Sequence, residues 1–535
     1  MKKISIITLF LLIGITAKAQ NHTDALRYST EELSGTARFK AMSGAFGALG
    51  GDMSAVNINP AGSTFFGSSE INFSLNNKNQ TLDIGFLDRK AKSNKNDFDV
   101  SQFGVVFAIP NVSPTLKKIS VAFNYQKTKN FDNDKFTYEA YNTKGLDNYF
   151  QNYLLKGNGG NPFAYGLFAA GMNFNNDTEA GQRAIGEYYA TLGKQKGYAA
   201  QMAYLGLQAG LVAPTTTSTT NVGYTALGKD QERLQRYRIE RAGYVNKANI
   251  NFATQVGDFI SLGMNLNIHN INEKAMYSLR DNDFKGTSSL TYANHKQYIN
   301  TTGEGFSLQL GGIAKLTENI RVGASYQSPV WYRMKEESRQ VLYGTVKGVP
   351  KNVNYDVELI NRYGDEIWYE REYKFRTPAQ WTASAAYLIK KRAILSVDYV
   401  HSSYNNLKFR SNNLAAENAV IQSELGDTST LRIGGELRFP FLLFKDDPKS
   451  INYFSVRAGY RYEQSPYRRT IATVGDLKGY AMGVGVTLGG VRIDASYDIA
   501  KQTNTFALYE SILTDKATLE TQNNNFAVTL TWTLF

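Results

Sequence analysis

The chain is 535 residues long, lacks cysteine, and carries 59 Lys plus Arg against 47 Asp plus Glu, a formal net charge of +12. Disulfides, thiolate metal sites and lipid attachment through an N-terminal cysteine are thereby excluded. The basic residues are spread along the chain and interleaved with acids, so the charge fits a surface facing anionic lipid headgroups or acidic solutes and not a nucleic-acid patch.

Residues 1–19 read as a secretory signal peptide: Lys2 and Lys3 form a basic start, Ile4 to Ile15 an apolar stretch, and Ala17-Lys18-Ala19 a cleavage site. The apolar stretch falls short of the ~18 to 20 residues a membrane-spanning helix needs. Residues 20–68 do not alternate and are rich in small residues, as in Gly44-Ala45-Phe46-Gly47-Ala48-Leu49-Gly50-Gly51-Asp52. With no Gly-Lys-Ser/Thr ending and no preceding strand, this run is not a phosphate cradle. Irregular backbone is tolerated inside a barrel, where it avoids lipid and meets a polar lumen wall, so a plug, or hatch, is expected here.

From residue 69 onward the pattern is two-residue alternation. Ile119, Val121, Phe123 and Tyr125 share one face, opposite Ser120, Ala122, Asn124 and Gln126. Leu262 to His269, Ile320 to Gln327, Leu431 to Phe439 and Phe454 to Glu463 repeat the pattern, with charges on one face only. In a membrane barrel the polar face lines the lumen and the apolar face meets lipid, which reconciles a mean hydropathy of -0.36 with membrane insertion. The 34 Tyr and 30 Phe suit strands and interfacial girdles.

Fourteen antiparallel strands are expected, near 70–88, 101–109, 118–127, 241–255, 259–275, 303–316, 319–331, 379–388, 391–408, 428–439, 452–463, 478–488, 490–500 and 524–535. The first also reads as two short strands joined near Asn79, which would make fifteen; the even strand number of single-chain bacterial barrels favours one. Gly257-Asp258, Thr317-Glu318-Asn319 and Gly489-Gly490 read as tight periplasmic turns.

Residues 128–240 form a long extracellular cap insertion. Leu146, Tyr149, Phe150, Tyr153 and Leu154, and likewise Ile185, Tyr188, Tyr189 and Leu192, lie at helical spacing, and two amphipathic helices are expected. Their stripes either pack on the barrel rim or form an apolar landing groove. Thr215 to Thr220 reads as a flexible linker. In the last strand Phe526, Val528, Leu530, Trp532 and Leu534 are the apolar set, and Phe535 has the opposite parity, which calls for a bulge or a turned-back terminus.

The segment Gly51-Asp52-Met53-Ser54-Ala55-Val56-Asn57-Ile58-Asn59-Pro60-Ala61-Gly62 resembles the hatch motif of the FadL family of outer-membrane long-chain fatty-acid transporters, which carries an Asn-Pro-Ala triplet. Arg321 to Pro329, Thr377-Pro378, and Val456 to Tyr462 followed by Ser465-Pro466 resemble later strands of that family. The resemblance covers both ends and most strands and leaves 128–240 unmatched. It implies a fourteen-stranded monomeric barrel of the bacterial outer membrane, passive transport without cofactor or enzymatic activity, and hydrophobic ligands, foremost long-chain fatty acids. It also implies ligand release by movement of the hatch N-terminus and sideways exit through a kink in the third strand. That strand contains neither Gly nor Pro, which puts exit there in doubt; Gly104 and Pro110 of the preceding strand are the alternative breaks. Surrounding lipids and the outer-membrane assembly machinery are the other expected partners.

Gly51, Asp52, Asn59, Pro60 and Ala61 are the hatch-motif residues, with Asn59 to Ala61 expected to be a structural turn. Because the lumen faces read polar, the pocket is expected to take its apolar lining from Phe39, Met42, Phe46 and Leu49. Arg432 and Arg457, with Arg438 and Arg461, either meet a ligand carboxylate or pair with Glu436 and Glu463. The four histidines lie in no nucleophile motif, and His269 reads as a hydrogen-bonded lumen residue. Uptake of hemin or of aromatic hydrocarbons, and a surface adhesin or structural barrel, are the rival readings; scattered histidines support haem poorly, and an adhesin needs no plug. A siderophore receptor would need a larger barrel and plug, and a general porin no plug.

Overall fold

The computed structural model describes residues 22–157, 160–348, 353–360, 363–389, 392–411, 414–442, 451–468, 473–509 and 512–534. Residues 1–19, expected to be a signal peptide, and Phe535 lie outside the described residues.

Fourteen strand positions form the wall: β1 (Glu70–Phe86), β2 (Arg89–Pro110), β3 (Leu116–Asn130, resuming as Asp134–Asn142), β4 (Arg233–Val256), β5 (Ile260–Asn282), β6 (Leu290–Lys315), β7 (Ile320–Gln327, resuming as Trp331–Val346), β8 (Val353–Glu358, Tyr369–Arg376 and Gln380–Ile389), β9 (Ala393–Ser403, resuming as Lys408–Phe409), β10 (Asp427–Leu442), β11 (Ile451–Glu463), β12 (Val474–Leu488), β13 (Val491–Phe506) and β14 (Ala517–Thr533). Each runs antiparallel to the next, and β14 closes on β1 from Glu70–Thr533 to Gly85–Thr518. Tight connections after β4, β6 and β12 lie at the hatch end, where Gly257 and Gly489 both sit at φ +56 and complete their turns without a Cβ clash. A further tight turn, at Leu87-Asp88, lies at the opposite end.

The hydropathy of the wall changes sign along single strands. In the hatch-end half of β1, Ile71, Phe73 and Leu75 face outward while Asn72, Ser74 and Lys78 are buried in the lumen. Above Asn79 the inward residues become Leu82, Ile84 and Phe86, with Asp83 exposed outside. Below, the outside is lipid; above, the outside is water and the inside is a packed core. The change near Asn79 is therefore a crossing of the membrane boundary and not a break, and β1 is one strand. The same change explains why the ladders run past the expected ends. In Asp134–Asn142 and Arg233–Glu240, Phe136, Tyr138, Tyr237 and Ile239 turn inward, while Lys135, Glu139, Arg236 and Arg238 turn outward. The insertion consequently spans 143–232 and not 128–240.

Inside the barrel, the hatch contributes α1 (His22–Ser29), α2 (Ala37–Ala41) and the 3-10 turns Ser54–Asn57 and Pro60–Phe65. The cap holds the two expected helices, α3 (Leu146–Lys156) and α4 (Glu179–Lys196), and a third, α5 (Tyr198–Gln208). Residues 199–208 of α5 are all buried, so it carries no amphipathic stripe to read. The stripe of α3 packs on the rim: Tyr149 meets Tyr509 edge-on at 4.6 Å and Phe150 meets His295 at 5.5 Å. Cap and upper wall share one hydrophobic core.

Candidate functional site: the hatch and the lumen cavity

The hatch backbone is irregular, and the lumen wall supplies the partners that a helix or ladder would otherwise provide. Asn251 Nδ2 donates to Pro60 O at 3.0 Å, Asn265 Nδ2 to Val56 O at 2.8 Å, and Gln309 Nε2 to the carbonyls of Asn57 and Ile58 at 3.0 Å each. Ser325 Oγ also donates to Ile58 O at 2.6 Å, and Thr529 Oγ1 accepts Ala37 N–H at 2.7 Å. Asp398 receives the N–H groups of Phe46 at 2.9 Å and Gly47 at 3.0 Å. Close approach requires glycine on the wall: a Cβ on Gly311 would lie 2.1 Å from Asn59 Oδ1, and one on Gly323 2.4 Å from Gly47 O.

The Asn-Pro-Ala triplet is a cap on a short helical turn. Asn59 is extended (φ -142, ψ 110), as the following proline dictates, and its Oδ1 accepts Ala61 N–H at 3.2 Å. Its Nδ2 donates to Gly47 O at 2.8 Å and to Gly312 O at 3.0 Å, joining turn, glycine run and wall. Asp52 accepts from Thr36 Oγ1 at 2.8 Å and Ser54 N–H at 2.9 Å, and Gly51 N–H bonds Gly62 O at 3.0 Å. Gly51, Asp52, Asn59, Pro60 and Ala61 do not line the cavity described below.

Charges lock the hatch from the side. Glu436 is paired with Arg38 at 2.8 Å, with Arg457 at 2.6 Å and with Arg438, while Arg457 also pairs with Asp494 at 2.7 Å. Lys40 pairs with Asp498 at 3.1 Å. Arg457 is thus occupied structurally. Arg432 and Arg461 stand opposite one another on β10 and β11 and line the cavity. Nε of Arg432 has no hydrogen-bond partner; Asp398 stands directly opposite Arg432 on β9 and is the acid that feels its charge, without a close ion pair, and among the described residues Arg461 pairs with Glu463 at 3.5 Å.

The cavity, about 650 Å³, lies between hatch and cap. At the hatch end it is lined by Phe39, Ile58, Arg432 and Arg461, and toward the cap by Leu82, Phe136, Tyr277, Ile299, Phe506 and Leu519. Its apolar lining therefore comes largely from the upper wall, where strand hydropathy has reversed. Of the four hatch residues expected there, Phe39 lines it, whereas Met42, Phe46 and Leu49 pack beneath, between hatch and wall. Helix α1 projects into the cavity and is held by buried Glu273, which accepts from Tyr28 Oη and pairs with Arg27 at 3.1 Å.

Beside this segment the wall is incompletely laddered. β2 and β3 pair from Gln102–Gln126 to Pro110–Lys118, and among the described residues no ladder joins Arg89–Ser101 to β3. Side chains bridge the seam: Lys127 pairs with Asp99 at 3.0 Å, Asn130 Nδ2 donates to Asp99 at 2.9 Å, and Ser93 Oγ to Lys135 O at 2.7 Å. A cavity of about 40 Å³ on its inner side is lined by Glu32, Asp97, Asp99, Lys127 and Asn130. The irregularity in β3 comes from a register shift between Lys127 and Lys129 and from the break at Phe131 to Asn133, with Asn133 at φ +59. No glycine or proline is needed, and Gly104 and Pro110 both lie within the intact ladder.

His269 Nε2 lies 2.9 Å from Ser307 Oγ on the lumen face, His295 is held between Tyr509 and Gln340, and His401 is on the outward face of β9. Among the described residues no three His, Cys, Asp or Glu side chains cluster as a metal site.

The fold is shared with a crystal structure of a Pseudomonas aeruginosa FadL homologue, at 12% identity over 95% of this chain and 100% of that one, with a TM-score of 0.51. The Pseudomonas putida toluene transporter TodX is similar at 12% identity over 94% and 99% of the two chains, TM-score 0.48, and the monoaromatic hydrocarbon channel CymD at 11% over 94% and 98%, TM-score 0.45. No protein-family model and no curated protein matches the chain.

Proposed function

We propose that this chain is a channel of the bacterial outer membrane for passive uptake of hydrophobic molecules carrying an acid group, long-chain fatty acids foremost. The observation that carries this reading is a cavity that joins apolar walls to two arginines set opposite one another, Arg432 and Arg461. Its volume falls in the range of about 300–1,000 Å³ usual for small-molecule sites. Leu82, Phe136, Ile299, Phe506 and Leu519 suit an alkyl chain, and Arg432 with Arg461 suits a carboxylate. A carboxylate can accept hydrogen bonds from this arginine pair, the unpartnered Nε of Arg432 included, and a neutral hydrocarbon cannot, which favours the acid over the aromatic-hydrocarbon reading.

Ligand enters from the cap side and rests against α1 and the hatch. Withdrawal of α1 and of Glu32, whose N–H bonds Thr128 O at 3.0 Å and whose carboxylate pairs with Lys78 at 2.6 Å, frees the inner side of the seam between β2 and β3. The seam then serves as the lateral exit, stitched by side chains that part at lower cost than a ladder. Transport needs no covalent chemistry, so no enzymatic role is assigned.

A titration of purified protein with a fluorescent long-chain fatty acid and with its methyl ester tests the reading. Losing a charged hydrogen bond is worth about 1.5–3 kcal/mol. Arg432→Gln with Arg461→Gln should therefore weaken the acid by roughly ten-fold or more and leave the ester unchanged. Equal affinity of the parent for acid and ester would overturn the headgroup assignment.

A further inference from the structure

The outward wall of β7, β8 and β9 holds a charge arrangement that neither hatch nor cavity uses. Tyr332, Phe375 and Phe409 turn inward into a buried cluster, so Arg333, Lys374, Arg376, Lys408 and Arg410 turn outward by alternation. All are exposed except Arg376, which is half-buried. The ladder sets Arg333 directly opposite Lys374 and Arg376 directly opposite Lys408, while Arg410 N–H bonds Lys374 O at 2.7 Å. Cβ atoms of directly opposed residues lie about 4.5–5.5 Å apart, and like charges in that relation destabilise a sheet.

Among the described residues no ion pair involves any of the five, although Glu304 stands opposite Arg333 and Glu372 lies two residues from Lys374. Farther along the same strands, cations are paired: Lys335 with Glu370 at 3.0 Å and Arg339 with Glu366 at 2.8 Å. The five charges also sit at the upper edge of the apolar belt. Trp331, opposite Arg376 and Phe306, is exposed, as is Trp381, which packs on Tyr326 at 4.4 Å. Directly below, Phe306, Leu308 and Leu310 project outward.

We propose that this face binds the phosphate-bearing headgroup of an outer-leaflet lipid. The clustered cations take the phosphate, the indole edge lies at the headgroup level, and the acyl chains lie along Phe306, Leu308 and Leu310. Phosphate fits better than a neutral head because a doubly charged, multi-oxygen group neutralises several close cations at once. The inference rests on the outer-membrane reading with the cap end outward, but not on transport.

Native mass spectrometry of the full chain in mild detergent tests it, with three probes: a lipid whose saccharide head carries two phosphomonoesters, its dephosphorylated analogue, and inorganic phosphate. The parent should retain the phosphorylated lipid at least about ten-fold better than the dephosphorylated one, and inorganic phosphate should not displace it at equal concentration. Changing Arg333, Lys374, Arg376, Lys408 and Arg410 to Gln should abolish that preference, and the pair Arg333→Gln with Lys374→Gln should weaken it if the larger set fails to fold. Removing equal charge from Lys90, Lys144, Lys156, Lys194 and Lys229 should leave it intact. Equal retention by parent and variant, equal loss in both sets, or equal binding of the two lipids would overturn the proposal. Fatty-acid affinity, unchanged in the patch variant, separates this outcome from failure of the transport reading.

Discussion

Asn59 commits both ends of its amide to the hatch and the wall, so its removal strands partners on each side. Unsatisfied buried polar groups cost about 1–3 kcal/mol, and Asn59→Ala should loosen the hatch by that order and impair fatty-acid uptake. Heat-modifiable gel mobility should stay that of the parent, and parental uptake by the mutant would contradict the anchoring role. Phe46 provides a contrast with Phe39. It lies under the Arg38 guanidinium at 5.1 Å and beside Phe39 at 5.5 Å, away from the cavity. Phe39→Ala should therefore weaken a bound alkyl-chain ligand, by about 1.5–3 kcal/mol if the ring is fully covered, more than Phe46→Ala does. A fluorescent fatty-acid titration compares them, and the reverse order would place the pocket deeper in the hatch. Arg457 and Arg432 have the same residue type, face and strand context in sequence. Only three-dimensional pairing with Asp494 and Glu436 tells Arg457, locked in close ion pairs, from Arg432, whose Nε faces the cavity without a hydrogen-bond partner.

At the scale of elements, all fourteen strand positions were legible as alternation, but most were longer than they read. Alternation persists through β1 while the apolar set passes from the outward to the inward parity, and a fixed-parity reading ends or splits the strand there. The glycines at 311 and 323 stand on the polar parity and mark where the hatch seats, a signal present in the sequence but meaningful only with the hatch in place. Helix α5 was illegible because it is buried on every side. The cap is joined to the rim by an ionic knot above the membrane. Arg233 pairs with Asp147, and Asp281 accepts Leu146 N–H at 2.7 Å. Burial pushes the Asp281 carboxyl up to about 7, partly offset by Arg233. A carboxyl whose folded pKa is raised favours docking most below its unfolded value, about 3.9, and loses that contribution as pH rises through about 7. Hydrogen exchange of α3 amides, corrected for intrinsic rates, should thus accelerate between pH 5 and 8, and Asp281→Asn should flatten the dependence. A parent showing no acceleration would remove Asp281 from the docking argument.

The whole molecule is a wall whose lower lumen is polar because it holds irregular backbone, and whose upper lumen is apolar because it holds the cap and the cavity. In the proposed route, plug, cavity and seam follow one another. Deleting residues 20–50 after the signal should turn a nearly silent protein into one with measurable ion conductance in a planar bilayer. Unchanged conductance would remove the plug from the route. The claim of passive uptake is tested most directly by the initial rate at which a radiolabelled long-chain fatty acid enters bacteria that lack their own channel for it and express this chain. The rate should rise and saturate with concentration. It should persist when the proton gradient is collapsed, and fall with Arg432→Gln plus Arg461→Gln at parental surface levels. A rate equal to that of cells without the chain would contradict the account.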